Sequence, residues 1–114
     1  MSSSLEEYRL QVIASLTSNG AWYREQIEEM LGQNITVESV WIHGSVLDRR
    51  EFREESDIDI AVVIDSHDLP LGVCEELSSE LAGELPDGVG GMLDVVVLNG
   101  EQPAGRVVPP IRIT

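Results

Sequence analysis

Asp57-Ile58-Asp59-Ile60-Ala61-Val62-Val63-Ile64 is the stretch that decides the fold, because it joins two spaced carboxylates to an unbroken apolar strand. In an extended strand, residues i and i+2 point to the same face about 6.6 Å apart along the backbone, so Asp57 and Asp59 are predicted neighbours. Two carboxylates held this close repel each other unless a cation lies between them. Their hard oxygen ligands suit Mg²⁺, which commonly completes its shell with water and substrate phosphates.

A predicted phosphate site precedes this strand. Gly44-Ser45 follows a predicted β-strand over 37–43 and precedes a stretch with helical character over 46–52. A glycine at a strand-to-helix turn lets the backbone approach an anion, and the serine hydroxyl adds a donor to the free N–H groups of the helix N-terminus. Each motif alone is also typical of an ordinary turn or strand entry. In this order, however, they predict a phosphate site and a metal site that face each other.

Asp94 is a third candidate carboxylate. It lies near the start of another apolar strand, predicted over 92–98. Burying an unpaired carboxylate among aliphatic neighbours is costly or forces protonation, so a buried Asp94 requires a cation or a hydrogen-bond donor. The alternative is an exposed residue at the start of a strand.

Four other polar residues are weaker candidates. His43, directly before Gly44, could contact a nucleotide, but a histidine that ends a strand is more often packed or hydrogen-bonded. A loop role is predicted for His67 and Asp68, and the single cysteine, Cys74, lies in a helical pattern typical of core packing.

The three motifs together resemble the signature of the DNA polymerase β-type nucleotidyltransferase superfamily. That signature is a hydrophobic residue with Gly-Ser, a spacer, Asp-hydrophobic-Asp, and a later aspartate on a strand. The run from Ser56 to Val63 is especially similar to the small stand-alone members called minimal nucleotidyltransferases (MNT). The resemblance covers residues 36–98. It implies a nucleotidyltransferase fold of the α/β (α+β) class, a small mixed β-sheet with helices packed on it.

The rest of the chain agrees with one domain over residues 1–114. Apolar residues at helical spacing predict helices that end at Ser18-Asn19-Gly20 and that cover about 21–31 and 71–85. Residues 86–91 are a predicted turn, and Pro109-Pro110 favours an extended tail. The predicted parts are N-terminal helices over 1–35, a catalytic core over 36–98 and the tail over 99–114.

The resemblance also implies the chemistry. Asp57 and Asp59 would bind two Mg²⁺ ions, while Asp94 would join the second ion and orient or deprotonate the attacking hydroxyl. ATP would be the substrate, pyrophosphate would leave, and AMP would stay on the acceptor, as two-metal catalysis allows. The nucleotide-binding residues implied are Gly44, Ser45, Ser56 and Arg49.

Composition limits the partners. The chain has 21 acidic residues against 7 basic ones, all arginine, and a net charge of −14. Such a surface repels phosphate backbones, which disfavours nucleic acid as a partner. It suits either a cytoplasm of high ionic strength or a basic partner protein. The sequence has no long apolar segment, and no signal peptide is expected. The predicted location is therefore the cytoplasm, and no association with a membrane is predicted.

Three functions stay open at this point. The resemblance to minimal nucleotidyltransferases implies an adenylyltransferase that modifies a HEPN-type toxin as its antitoxin. An acceptor that is a small hydroxylated molecule is the second possibility. The third is an antitoxin that neutralises by binding alone, because Arg-x-Arg-Gly, which many relatives carry after Gly-Ser, is replaced here and the tail after Asp94 is short.

Overall fold

The computed structural model describes residues 3–66, 69, 72–84, 93–104 and 108–114. In these residues the helices are α1 (Ser3–Ser18), α2 (Gly20–Leu31) and α3 (Val73–Glu84). The strands are β1 (Thr36–His43), β2 (Ile58–Asp65), β3 (Leu93–Asn99) and β4 (Ile111–Arg112). The predicted turn at 86–91 and the predicted loop residues His67 and Asp68 lie outside the described residues.

The strands form one mixed sheet in the order β3-β2-β1-β4. β2 is parallel to β3, whereas β1 is antiparallel to both β2 and β4. β2 is thus an interior strand. Its side chains from residue 60 to 64 are buried on both faces of the sheet, which explains why its apolar run is nearly continuous. This mixed sheet with its helices confirms the predicted fold class.

The helices pack on one face of the sheet. Side chains alternate between the two faces of a strand, and Ile58, Ile60, Val62 and Ile64 of β2 point to the helical face. These residues join one buried cluster with residues from all three helices: Val12 and Leu16, Tyr23 and Ile27, and Leu81. Consequently Asp59, at an intervening position of β2, lies on the opposite face of the sheet.

The chain after Pro109-Pro110 is extended and pairs with β1. The N–H of Ile113 donates to the carbonyl of Val40 at 2.8 Å, and the N–H of Val40 donates to the carbonyl of Thr114 at 3.0 Å. Gly20 at the start of α2 leaves room for this segment, because a Cβ there would overlap the carbonyl oxygen of Ile113. These bonds cover part of the β1 edge.

The prediction of helical structure over 46–52 is wrong. A single 3-10 turn, Gly44–Leu47, follows β1, and Asp48 leaves it in an extended conformation (φ −112°, ψ 105°). The Asp48 Oδ1 accepts a hydrogen bond from the N–H of Arg50 at 2.9 Å, so the side chain competes with the helical pattern.

Within the described residues, no helix combines the length and the apolar character needed to cross a membrane.

Candidate active site

A row of polar residues crosses three strands of the sheet. His43 of β1 lies opposite Asp59 of β2, and Asp59 lies opposite Asp94 of β3. Residues that are directly opposite each other in neighbouring strands point to the same face. The row therefore places one imidazole and two carboxylates side by side on the face that the helices do not cover.

Asp59, at the centre of this row, is unfavourable as an anion. Burial raises the pKa of the Asp59 carboxyl, and the charges of Asp94 and Asp57 raise it further, whereas the charge of His43 opposes them. Asp94 is also close enough to hydrogen-bond with Asp59. A carboxylate that is half-buried among other carboxylates is stabilised by a bound cation.

Gly44 forms one wall of the Asp59 site. Its φ of +81° is in the region that favours glycine. A Cβ at this position would overlap the Oδ2 of Asp59. The exposed backbone of Gly44 thus lies directly against the carboxylate, and only a residue without a side chain allows this approach.

We expect Gly44→Ala to destabilise the fold more than Gly100→Ala. Gly100 follows β3 as Gly44 follows β1 and has a similar φ of +76°, but a Cβ there would meet nothing within 4 Å. Both variants should lose about 1–2 kcal/mol through the positive φ. Gly44→Ala should lose roughly a further 1–3 kcal/mol through overlap with Asp59. Urea unfolding of both variants measures the difference, and equal losses would contradict the close approach.

The other predicted site residues lie around this row. Asp57 is exposed and directly precedes β2. Ser45 is partly exposed in the 3-10 turn, where its carbonyl accepts the N–H of Asp48 at 3.0 Å. The Oγ of Ser56 accepts the N–H of Arg53 at 2.9 Å, which leaves its own hydroxyl proton available as a donor.

The donor set fits a hard divalent cation. Asp59 and Asp94 supply carboxylate oxygens on one face, and Asp57 adds a third carboxylate that is close enough to influence Asp59. In the described part of the chain, no three His, Cys, Asp or Glu side chains already form a closed cluster. Rotation of the exposed Asp57 side chain, or a phosphate oxygen, would have to supply the third ligand.

Arg49 lies apart from the three aspartates. It lines a groove together with Arg9, Arg50 and Val108, and none of the aspartates of the site lines that groove. Its charge is close enough to Glu6 of α1 to contribute to a lowered pKa of that carboxyl, although the hydrogen bond from Arg9 is the largest cause. Arg49 therefore shares no groove with Asp57, Asp59 or Asp94 among the described residues, and its contact with a nucleotide stays a prediction.

His43 has a structural feature that its sequence position did not indicate. Its Nε2 is buried, and no described residue offers it a hydrogen bond. Buried polar atoms in folded proteins nearly always have a partner, so this atom beside Asp59 is a candidate contact for a ligand. The only sequence signal was the position of His43 next to Gly-Ser.

One comparison with known proteins finds a match. The family model described as Polymerase beta, Nucleotidyltransferase matches residues 25–107, well over half of the chain. The matched segment includes the row of polar residues, Gly44-Ser45 and the groove residues Arg49 and Arg50. Neither the curated proteins nor the solved structures gave a match.

Proposed function

The chain belongs to the polymerase beta nucleotidyltransferase family, which supports a nucleotidyltransferase-type activity, and on that premise we propose that it transfers AMP from ATP to a partner protein. The observation that carries the proposal is the pair Asp59 and Asp94, opposite each other in adjacent strands with Gly44 against Asp59. This arrangement combines carboxylates for metal binding with exposed backbone at which a phosphate can approach.

Each aspartate of the site would have its own role in the reaction. Asp57 and Asp59 would hold Mg²⁺ with the triphosphate, while Asp94, the more exposed of the pair, would accept the proton of the attacking hydroxyl. The hydroxyl oxygen forms a bond to the α-phosphorus, the bond to the bridging oxygen breaks, and pyrophosphate leaves. Bound Mg²⁺ would supply charge neutralisation for the entering and leaving oxygens.

The phosphates would be held mainly by backbone and hydroxyl groups. Gly44 presents its exposed main chain, and Ser45 directly after it offers a hydroxyl donor. Ser56, directly before Asp57, would supply a second hydroxyl donor. Because the 3-10 turn is only four residues long, a helix dipole contributes little here. The arginine clamp of many relatives would not be supplied by Arg49, which lines the separate groove.

We propose that the acceptor is a HEPN-type toxin for which this chain is the antitoxin. The resemblance of residues 56–63 to minimal nucleotidyltransferases supports that partner. The net charge of −14 supports a basic protein as the acceptor, because opposite charges accelerate the encounter of two proteins. The same negative charge repels the phosphate backbone of a nucleic acid.

One alternative is supported by a specific observation. Neutralisation by binding alone is favoured by the placement of Arg49 away from the aspartates and by the absence of a closed three-ligand cluster in the described residues. In that case the acidic surface would bind the toxin and the aspartates would be dispensable.

A neutralisation assay with the partner protein separates the two functions. We expect the wild-type chain with Mg²⁺ and labelled ATP to label the toxin and to remove its activity, and the double variant Asp57→Ala, Asp59→Ala to do neither. Labelling is followed by mass spectrometry and neutralisation by growth of cells that express the toxin. Full neutralisation by the double variant, without labelling, would establish the binding function instead.

A further inference from the structure

The groove beside the 3-10 turn concentrates positive charge in an acidic protein. It is an open groove of about 480 Å³, lined by Arg9, Leu47, Asp48, Arg49, Arg50 and Val108. Three of the chain's seven basic residues therefore meet in one groove of a protein with a net charge of −14. Asp48 is the one acidic residue of this lining, and Glu6 pairs with Arg9. Two guanidiniums therefore face the groove against one carboxylate, and this excess of positive charge would attract an anion.

Arg9 is fixed in position. Its Nε and Nη2 donate to the two carboxylate oxygens of Glu6 at 2.9 and 2.7 Å, and its Nη1 donates to the carbonyl of Val46 at 3.0 Å. The side chain is only 11% exposed. A guanidinium has five N–H donors, so Arg9 keeps unused donors in a geometry that is already ordered.

Arg49 and Arg50 are available for a ligand. Both residues are exposed, and neither guanidinium makes a hydrogen bond or ion pair with the described residues. The hydrogen bond from the N–H of Arg50 to Asp48 fixes the turn that carries them. Leu47 and Val108 add apolar surface to the groove. Two free planar guanidiniums beside a fixed one match the several acceptor oxygens of a phosphate group.

The groove and the aspartate site have no lining residue in common. Arg9 belongs to α1, whose Val12 and Leu16 pack on the helical face of the sheet. Asp59 and Asp94 point to the opposite face. A phosphate in the groove would therefore contact none of the three aspartates.

From these observations we propose that the groove is a second anion site, which binds a phosphate group that does not belong to the nucleotide. The site would hold a phosphorylated molecule while the aspartate site holds the nucleotide. The proposal stands whether or not the chain transfers AMP, because Arg9 and Arg50 have no part in that reaction. The same chemistry could instead recognise the triphosphate tail of the nucleotide, and the experiment must separate the two sources.

Titration of the full chain with inorganic phosphate tests the site. Amide chemical shifts of residues 47–50 should change saturably, and the changes should persist when Mg²⁺-ATP is also saturating. Arg49→Gln and Arg50→Gln should each weaken phosphate binding about tenfold or more, as expected for the loss of a charge-assisted hydrogen bond. Both residues are exposed, so the variants should fold normally.

Arg112→Gln is the matched control. It removes the same charge at the sheet edge, where the Arg112 side chain donates to the main-chain carbonyls of Glu38 and Thr114. This variant should leave phosphate affinity unchanged. An equal loss in Arg112→Gln would reduce the effect to net charge and overturn the site. An absence of saturable shifts, or displacement of phosphate by Mg²⁺-ATP, would also overturn it, the latter by assigning the groove to the nucleotide.

Discussion

Replacing Asp59 with asparagine should abolish nucleotide transfer and yet stabilise the folded chain in buffer without divalent cations. Asparagine has nearly the same shape but no charge, so it removes the repulsion from Asp94 and Asp57 and the cost of burying an anion. Loss of a metal-ligating carboxylate removes several kcal/mol of transition-state stabilisation, which corresponds to about three orders of magnitude in rate. Transfer assays and urea unfolding on the same preparation measure both effects.

The stability effect should depend on pH in a defined direction. Because the pKa of Asp59 is raised in the folded state, the wild-type chain gains stability as the pH falls through that raised pKa toward the unfolded value of about 3.9. The advantage of the asparagine variant should therefore be complete at neutral pH and should shrink on acidification. An advantage that grows on acidification would show that the pKa of Asp59 is lowered.

Asp65→Asn is the control for the effect of net charge on transfer. Asp65 is the last residue of β2, whereas Asp59 lies near the first residue of the same strand. This variant changes the net charge by the same amount and should retain full transfer activity. Inactivity of both variants would point to the net charge of the sheet and not to the site.

The main strands were predictable because their signal is local. An apolar run such as 60–64, or the alternating pattern before Gly44, specifies a strand without reference to the rest of the chain. β1, β2 and β3 accordingly begin and end within a residue or two of the predicted positions. The failed helix at 46–52 has a local cause too, since the Asp48 side chain stops the pattern.

The contacts that depend on distant residues were not predictable. Arg9 hydrogen-bonds to Val46, 37 positions away, and no pattern near Arg9 indicates that contact. The pairing of the tail with Val40 is equally remote in sequence, although Pro109-Pro110 predicts its extended conformation. The groove that Arg49 lines was not predictable for the same reason, because Arg9 of α1 reaches it only in the folded chain.

Asp94→Asn should separate binding from chemistry. In the proposed reaction Asp94 contacts the attacking hydroxyl, whereas the triphosphate is held by Asp57, Asp59 and the Gly44 backbone. The affinity for Mg²⁺-ATP should therefore be nearly unchanged. The transfer step should slow by about two orders of magnitude or more, because general-base and nucleophile-orienting effects are typically of that size.

The measurement requires both quantities on one protein. Calorimetry gives the affinity for Mg²⁺-ATP, and single-turnover transfer of AMP with the partner protein present gives the rate of the chemical step. An acceptor hydroxyl that has already lost its proton should react equally well in the wild-type chain and in the Asp94→Asn variant. The loss of transfer rate in the variant should therefore be smaller at high pH. If affinity falls in step with rate, Asp94 binds the nucleotide or supports Asp59 through the contact between their carboxyls, and the division of roles among the three aspartates is wrong.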